Sequence, residues 1–447
     1  MHACVYRVLV MTQDEALTLL KTGRNVFLTG PAGSGKTYLL NQYIEYLEKN
    51  KVDVAVTAST GIAATHMNGR TIHSWSGIGK KKFLTKKDTY RLLNNQKVRA
   101  RVMHAKVLII DEISMLEAKV LDLVDTACRL LRSNDYPFGG LQVVFCGDFF
   151  QLPPVHRNTE PKPAFAYLSA AWQKADPAVC YLEKQYRQQD TRFLEVLNTI
   201  RAGSAGDEIG SILRERYLQN IEGYSKPTRL RTHNADADAI NSFELQRIDA
   251  PEHKYQMVSR GDPDLVAELK NACLAPEELL LKKGAVVMFV KNNVDKGYVN
   301  GTLGTVADFD KETDYPIVET KDGRMIAEPD EWSIEDDDEQ VLAAIVQVPL
   351  RLAWAITVHK SQGMSLDCAE IDLSKAFIEG MGYVALSRVR MLSGIKLVGL
   401  NKLALQVNSE IIESDLVFRG ASEESRKSLQ ETGTVKLFTL HKLFLLR

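Results

Sequence analysis

Apolar residues in the first third of the chain fall into short runs separated by stretches of helical period. Val26-Phe27-Leu28 is an unbroken apolar run of strand length, and Leu40, Tyr43, Ile44 and Leu47 then recur at the spacing of one helix face. Similar runs at 54–57, 107–110 and 143–146 alternate with helical patterns, among them 117–132. That alternation predicts an α/β domain, a doubly wound parallel sheet, over residues 1–181. Two of its strands run into polar residues, Asp111-Glu112 and Asp148, at their carboxyl ends, the edge where open parallel sheets collect ligands. A second block of the same texture occupies 182–251 and 346–408, with strands expected at 229–232, 354–358, 369–373, 383–386 and 396–400. Between its halves, at 252–345, helical periodicity fades. Short runs at 285–290, 305–308 and 316–319 alternate there with the turn signals Asn300-Gly301 and Asp322-Gly323. This stretch reads as a small β-barrel inserted into the second α/β domain. The tail, 409–447, is polar and then apolar from Leu437-Phe438 to Leu446, and carries no readable role.

Composition narrows the class. A chain of 447 residues, 45% hydrophobic and 25% charged, suits about three globular domains and contains no apolar run of membrane-spanning length. The patch Val8-Leu9-Val10 lacks the length and cleavage site of a signal peptide, and Met11 before the helix cap Thr12-Gln13-Asp14-Glu15 is a candidate functional start. Six scattered cysteines without a C-x-x-C pair point to a reducing compartment and away from a disulfide frame or zinc site. The net charge is −1, but residues 80–106 hold ten Lys or Arg against Asp88 alone, so this segment is +9 and the remainder −10. A basic island on a near-neutral chain fits a local contact with a phosphate backbone. The opposite run, seven acids at 330–339, reads as a solvated loop.

The chemistry begins at Gly30-Pro31-Ala32-Gly33-Ser34-Gly35-Lys36-Thr37, which satisfies G-x-x-x-x-G-K-[ST] between a predicted strand and helix. Backbone N–H groups of such a loop and the helix N-terminus converge on phosphate, Lys36 reaches the β- and γ-phosphates, and the Thr37 hydroxyl suits Mg²⁺. Asp111 would complete the Mg²⁺ shell, and Glu112 would orient and deprotonate an attacking water, an acid that a hydrolase needs. Gln151, in Gly147-Asp148-Phe149-Phe150-Gln151-Leu152-Pro153-Pro154, is placed to sense a γ-phosphate.

Further motifs follow in order: Thr57-Ala58-Ser59-Thr60-Gly61-Ile62-Ala63-Ala64, Thr71-Ile72-His73-Ser74-Trp75, Asp111-Glu112-Ile113-Ser114-Met115, and Pro137-Phe138-Gly139-Gly140 before the next strand. Beyond these come Tyr186-Arg187-Gln188, Thr357-Val358-His359-Lys360-Ser361-Gln362-Gly363 and Ala385-Leu386-Ser387-Arg388-Val389-Arg390. The series resembles the PIF-type DNA helicases of superfamily 1, relatives of the RecD-type enzymes, over residues 12 to 405. The resemblance implies two RecA-like domains of the phosphate-loop NTPase class, a wedge insertion at about 66–106 and the inserted barrel as an accessory domain. It implies ATP and Mg²⁺ as cofactors, with Gln13 reading adenine and Gly30, Ala32, Gly33, Ser34, Gly35, Lys36, Thr37, Tyr38 and Gly363 around the nucleotide. Arg187 and Arg388 would complete the γ-phosphate site, where guanidinium groups meet developing charge. Thr60, Gly61, His73, His359 and Lys360 would line a single-strand channel, and Trp75 would stack on bases.

The activity implied is ATP-dependent unwinding, with 5′-to-3′ travel, by a monomer acting on single-stranded DNA and single-/double-strand junctions. Quadruplexes and RNA–DNA hybrids are further candidate substrates, and replication, repair or telomere processing the implied setting. The compartment implied is the cytoplasm for a bacterial chain, the nucleus or mitochondrion for a eukaryotic one. Within the helicase class a RecD-type assignment or an RNA substrate is the nearest rival, and two other classes stay open: a DNA-binding ATP switch that does not unwind, and a metabolic phosphotransferase built on the same loop.

Overall fold

The computed structural model describes residues 10–446 except 68, 80, 155–161, 189, 223–226, 294, 295, 299 and 336–339. Of the sequence readings, Val8-Leu9, Lys80 and the last four residues of the acidic run lie outside that set. Among the described residues no helix is long and apolar enough to cross a membrane.

Six strands build the first sheet: β1 (Val26–Thr29), β2 (Val54–Ala58), β3 (Arg70–Thr71), β4 (Val107–Asp111), β5 (Gln142–Cys146) and β6 (Ala178–Tyr181). Their spatial order is β3-β2-β4-β5-β1-β6 and every pairing is parallel, with Phe27 level with Phe145 on one side and Val179 on the other. Strands β1 and β5 and most of β4 are buried on both faces, so their sequences are continuous apolar runs rather than alternating ones. The order sets β4, β5 and β1 side by side. The glycine loop, Asp111-Glu112 and residues 148–151 therefore leave the sheet along one edge.

The second sheet is also parallel, in the order Ala355–Thr357, Thr228–Arg231, Ala369–Leu373, Ile395–Leu400. The strand expected at 383–386 is a correction: these residues belong to the helix Met381–Ser387, all seven of which are buried. A four-residue apolar run has no readable period, and a helix sunk in a core on every side is apolar all round.

In the insertion, a five-stranded antiparallel sheet joins Gly323–Ile326, Pro316–Thr320, Leu303–Phe309, Val286–Phe289 and Leu350–Leu352 around stacked Phe289 and Tyr298. A three-stranded sheet and the pair Glu252–Gln256 with Glu278–Lys282 stand apart from it, so among the described residues the ladders do not close the expected barrel. The helix Pro263–Ala272 sits where periodicity had faded. The acidic run is also corrected in its first half: Asp330–Glu335 is a strand paired with Val341–Gln347, and Lys291 and Arg260 neutralise Asp330 and Glu331.

The tail forms two helices, Ser409–Thr432 and Thr434–Leu446, laid against the first domain. Phe418 packs edge-on to Phe27 and against Phe149, Ser422 Oγ accepts from the Tyr181 N–H at 3.0 Å, and Arg426 pairs with Glu15 at 2.9 Å. Phe444 is buried against Gly23.

Candidate functional site

The glycine loop closes onto the helix Lys36–Lys49, whose N-cap is Gly35 at φ 84°. Glycine suits the position because the left-handed backbone strains any other residue, and a Cβ would also displace the Gln13 side-chain nitrogen. Gln13 thereby reaches the loop: its Nε2 donates to the Ser34 and Gly35 carbonyls at 3.4 and 3.5 Å. Lys36 Nζ is folded back on the Gly30 and Pro31 carbonyls at 2.8 and 3.1 Å. Withdrawal from water pulls Lys36 below its ordinary range, and Asp148 and Glu112 nearby oppose that shift.

Glu112 adopts the left-handed conformation, φ 49° and ψ 45°, which costs a non-glycine residue about 1–2 kcal/mol. The turn is held by Ser59, whose Oγ donates to the Glu112 carbonyl at 2.7 Å. It sends the carboxylate into the cleft while Asp111 stays behind, its Oδ1 accepting the Glu112 N–H at 2.8 Å. Burial, with the Asp111 charge adding to it, pushes Glu112 up to about 7, and burial raises Asp111 as well. A carboxylate whose pKa lies near neutrality is suited to take a proton from water.

Opposite stand two arginines. Arg388 is 2% exposed and donates to the Val384 carbonyl and the Ser387 hydroxyl, and Arg187 donates to the Ser387 carbonyl at 3.1 Å. Among the described residues neither forms a salt bridge. Burial and the facing Arg388 push Arg187 down to about 9. The cleft between the two sides measures about 540 Å³ and is lined by Ala32–Tyr38 in full, Glu112, Gln151, Tyr186, Arg187, Gly363 and Arg388. Buried atoms without partners cluster here: Ser34 Oγ, Gln151 Oε1, Gln188 Oε1 and Gln362 Nε2. Two cations lacking anions, a lysine resting on carbonyls and orphaned polar atoms together fit a polyphosphate. Thr37 and Asp111 share an adjoining cavity of about 130 Å³, and their hard oxygens suit Mg²⁺ with water in its remaining positions. A larger void of about 710 Å³, by Arg24, Arg132 and Phe444, contains none of these residues.

The expected channel residues are placed unevenly. Thr60 lines the small cavity beside Glu112, and its Oγ1 accepts the Ala63 N–H at 3.2 Å, with Gly61 opening the next helix. His73 is half-buried on the short helix Ile72–Trp75, and burial lowers its pKa. Trp75 is a correction. The residue is 5% exposed and packed within the main core, and its carbonyl accepts from Arg101 Nε at 2.8 Å, an environment of packing rather than of stacking on a base. An aromatic platform the sequence did not announce lies elsewhere: exposed Phe377 stands 4.9 Å from the His233 ring and 6.0 Å from that of His359. Lys360, next to His359 in the chain, is half-buried. The basic segment folds as the helices Lys86–Asn94 and Gln96–His104, with Lys86, Lys87, Arg91 and Arg99 exposed.

These parts define a two-domain phosphate-loop ATPase of the superfamily 1 helicase type, its site shared across a cleft. A family model described as PIF1-like helicase matches residues 9–208, and one described as DNA helicase Pif1, 2B domain, matches 264–309. The chain belongs to the PIF1-like helicase family. It is 44% identical to the ATP-dependent DNA helicase Pif1 of Psychrobacter sp. (strain PRwf-1), an alignment covering 98% of this chain and 75% of that protein. It spans only 62% of the Homo sapiens relative, at 36% identity. The crystal structure of Pif1 helicase from Candida albicans superposes with a TM-score of 0.80 at 34% identity, covering 92% of this chain and 99% of that one. Pif1 helicase from Bacteroides, in complex with ADP-AlF3 and ssDNA, superposes with a TM-score of 0.68 at 30% identity, over 93% and 99% of the two chains.

Proposed function

We propose that this chain is an ATP-driven DNA helicase that moves along single-stranded DNA and separates strands at a junction. The observation that carries it is the divided site: Lys36, Glu112 and Gln151 on one side of the cleft, and Arg187 and Arg388, with no salt bridge among the described residues, on the other. Such a site binds a nucleoside triphosphate well only when the two domains meet, so loss of the γ-phosphate removes the reason for contact. Bound Mg²⁺, held by Thr37 and Asp111, would neutralise charge on the phosphates. Glu112 takes the proton of the attacking water, Lys36 and the loop N–H groups hold the phosphates, and the two arginines face the developing charge. Gln13 orients the base.

Thr60, beside Glu112 on the first domain, and His359, Lys360 and Phe377 on the second form the DNA path. Relative motion of the domains then shifts their grip along the strand. The exposed basic helices at 86–104 lie against the duplex ahead of it. Travel is 5′ to 3′ and the acting unit is a monomer, as the family resemblance implies, with quadruplexes and RNA–DNA hybrids as further substrates. The test is unwinding of 5′-tailed against 3′-tailed duplexes with Lys36→Ala as control. Unwinding of the 5′-tailed substrate alone, lost in the variant, is expected. ATP turnover indifferent to single-stranded DNA, or activity surviving in the variant, would refute the reading.

A further inference from the structure

The helix Met381–Ser387 delivers Arg388 to the cleft, and its seating is unusually specific. Its N-cap, Gly380 at φ 81°, lies so close to the Phe150 and Gln151 carbonyls that a Cβ would stand 2.6 and 2.7 Å from them. One turn on, the Tyr383 hydroxyl accepts the Ala32 N–H of the phosphate loop at 2.9 Å and donates to Asp148 Oδ2 at 3.2 Å. Asp148 is fully buried, and its other oxygen accepts from Arg201 at 3.1 Å and from the Phe150 N–H at 3.2 Å. Arg201 in turn donates to the Tyr181 hydroxyl at 2.6 Å and lies over the Phe150 ring at 4.2 Å. One buried carboxylate of the first domain thus gathers two donors from the second, and one of them is also hydrogen-bonded to the phosphate loop.

We propose that Tyr383 is a positioning residue for hydrolysis: through Ala32 and Asp148 it seats the Arg388 helix on the phosphate loop and fixes where Arg388 stands relative to Glu112. The inference rests on the cleft being the ATP site. Removing the hydroxyl takes the partner from the Ala32 N–H and from one oxygen of Asp148 while the ring still fills its space, so the helix loses its registration rather than its packing. ADP, lacking a γ-phosphate, does not need Arg388 in place. The tyrosine's effect therefore belongs to turnover and not to ADP affinity.

Three measurements test this. Tyr383→Phe is expected to lower kcat of the DNA-stimulated ATPase by roughly tenfold, with the Kd of a fluorescent ADP analogue changed less than about twofold. In an Arg388→Ala background the same substitution should cost less than about twofold more, since a residue acting through Arg388 has nothing left to position. Gly380→Ala, which lifts the same helix with the hydroxyl intact, should reproduce the kcat loss and serves if the phenylalanine variant does not fold. An unchanged kcat, fully additive losses with Arg388→Ala, or ADP affinity falling in step with kcat would each overturn the proposal. Failure of the ADP analogue to bind the unmutated chain would instead overturn the ATP-site reading, and this inference with it.

Discussion

Asp415, in the first of the two C-terminal helices, offers the sharpest test of how the tail is held. It is 8% exposed, and it accepts from the Tyr181 hydroxyl at 2.7 Å, from Arg419 Nε at 2.7 Å and from Arg201 at 3.4 Å. Cutting one partner from a buried pair costs about 3–5 kcal/mol when the remaining charge is left alone. Here neither arginine is left alone, because Arg201 keeps Asp148 and Arg419 keeps Glu183. What Asp415→Ala removes outright is the acceptor of the buried Tyr181 O–H, whose oxygen still accepts from Arg201 and Arg419, so the expected loss is about 2–3 kcal/mol. If the first domain and tail unfold as one unit of roughly 200 residues, the midpoint falls by about 4–10 °C. Differential scanning calorimetry is the assay, with Asp415→Asn expected to fall between the alanine variant and the unmutated chain, since its amide oxygen still accepts from Tyr181. Glu45→Ala, which breaks a fully solvated i,i+4 pair with Lys49, is the control and should leave the midpoint where it was. A midpoint for Asp415→Ala indistinguishable from that control would refute the reasoning.

Four further outcomes follow from the site. Glu112→Gln should lower ATP turnover by about 10²–10⁴-fold while ADP and single-stranded DNA still bind, checked by single-turnover hydrolysis and anisotropy. Because burial raises Glu112 to about 7 and only its ionised form accepts a proton, kcat/KM for ATP should decline below pH 7, approaching tenfold per unit; a flat profile from pH 5.5 to 8.5 would remove Glu112 as the base. Phe377→Ala should weaken single-stranded DNA by about 1–3 kcal/mol, read by anisotropy, with DNA-independent ATP hydrolysis unaffected. Trp75→Phe should lower the thermal midpoint and leave DNA affinity intact, the reverse of what a stacking residue would show.

Most of the first sheet was legible because parallel strands buried on both faces are continuous apolar runs, and β1, β2, β4 and β5 lie within a residue or two of those runs. The residues at their carboxyl ends were legible because ordered chemistry is written in consecutive letters. What failed was anything decided by the third dimension. The run at 383–386 is as apolar as a strand, and only its seat between the domains makes it a helix. The exposures of Trp75 and Phe377 were unreadable for a similar reason. Proximity to a motif suggested an exposed indole, yet packing buried it, and an unremarkable phenylalanine far along the chain stands exposed between two histidines. The tail was unreadable because its partners, Tyr181, Arg201 and Glu15, lie more than 200 residues away in sequence.

The two sets of contacts across the cleft pull in opposite senses. On the far side of the cleft, burial pushes Arg187 down to about 9, with the neighbouring Arg388 charge adding to it. Closure withdraws both guanidinium groups further from water, which opposes it until a γ-phosphate supplies the missing anion. The contacts of Asp148 with Tyr383 and Arg201 favour closure whether or not a nucleotide is present. Closure driven by the arginines alone would demand that ATP supply all of the bias, and about 5.5 kcal/mol of differential affinity is needed to carry a two-state element from 1:99 to 99:1. A standing attraction at Asp148 brings the unliganded balance nearer to even, so that one phosphoryl group is enough to tip it and its loss enough to tip it back. Asp148→Asn should therefore raise the ATP concentration needed for half-maximal DNA-stimulated turnover, whereas weakening Arg187 should lower the maximal rate. If both variants moved the same parameter, the two contact sets would not be acting as separate terms.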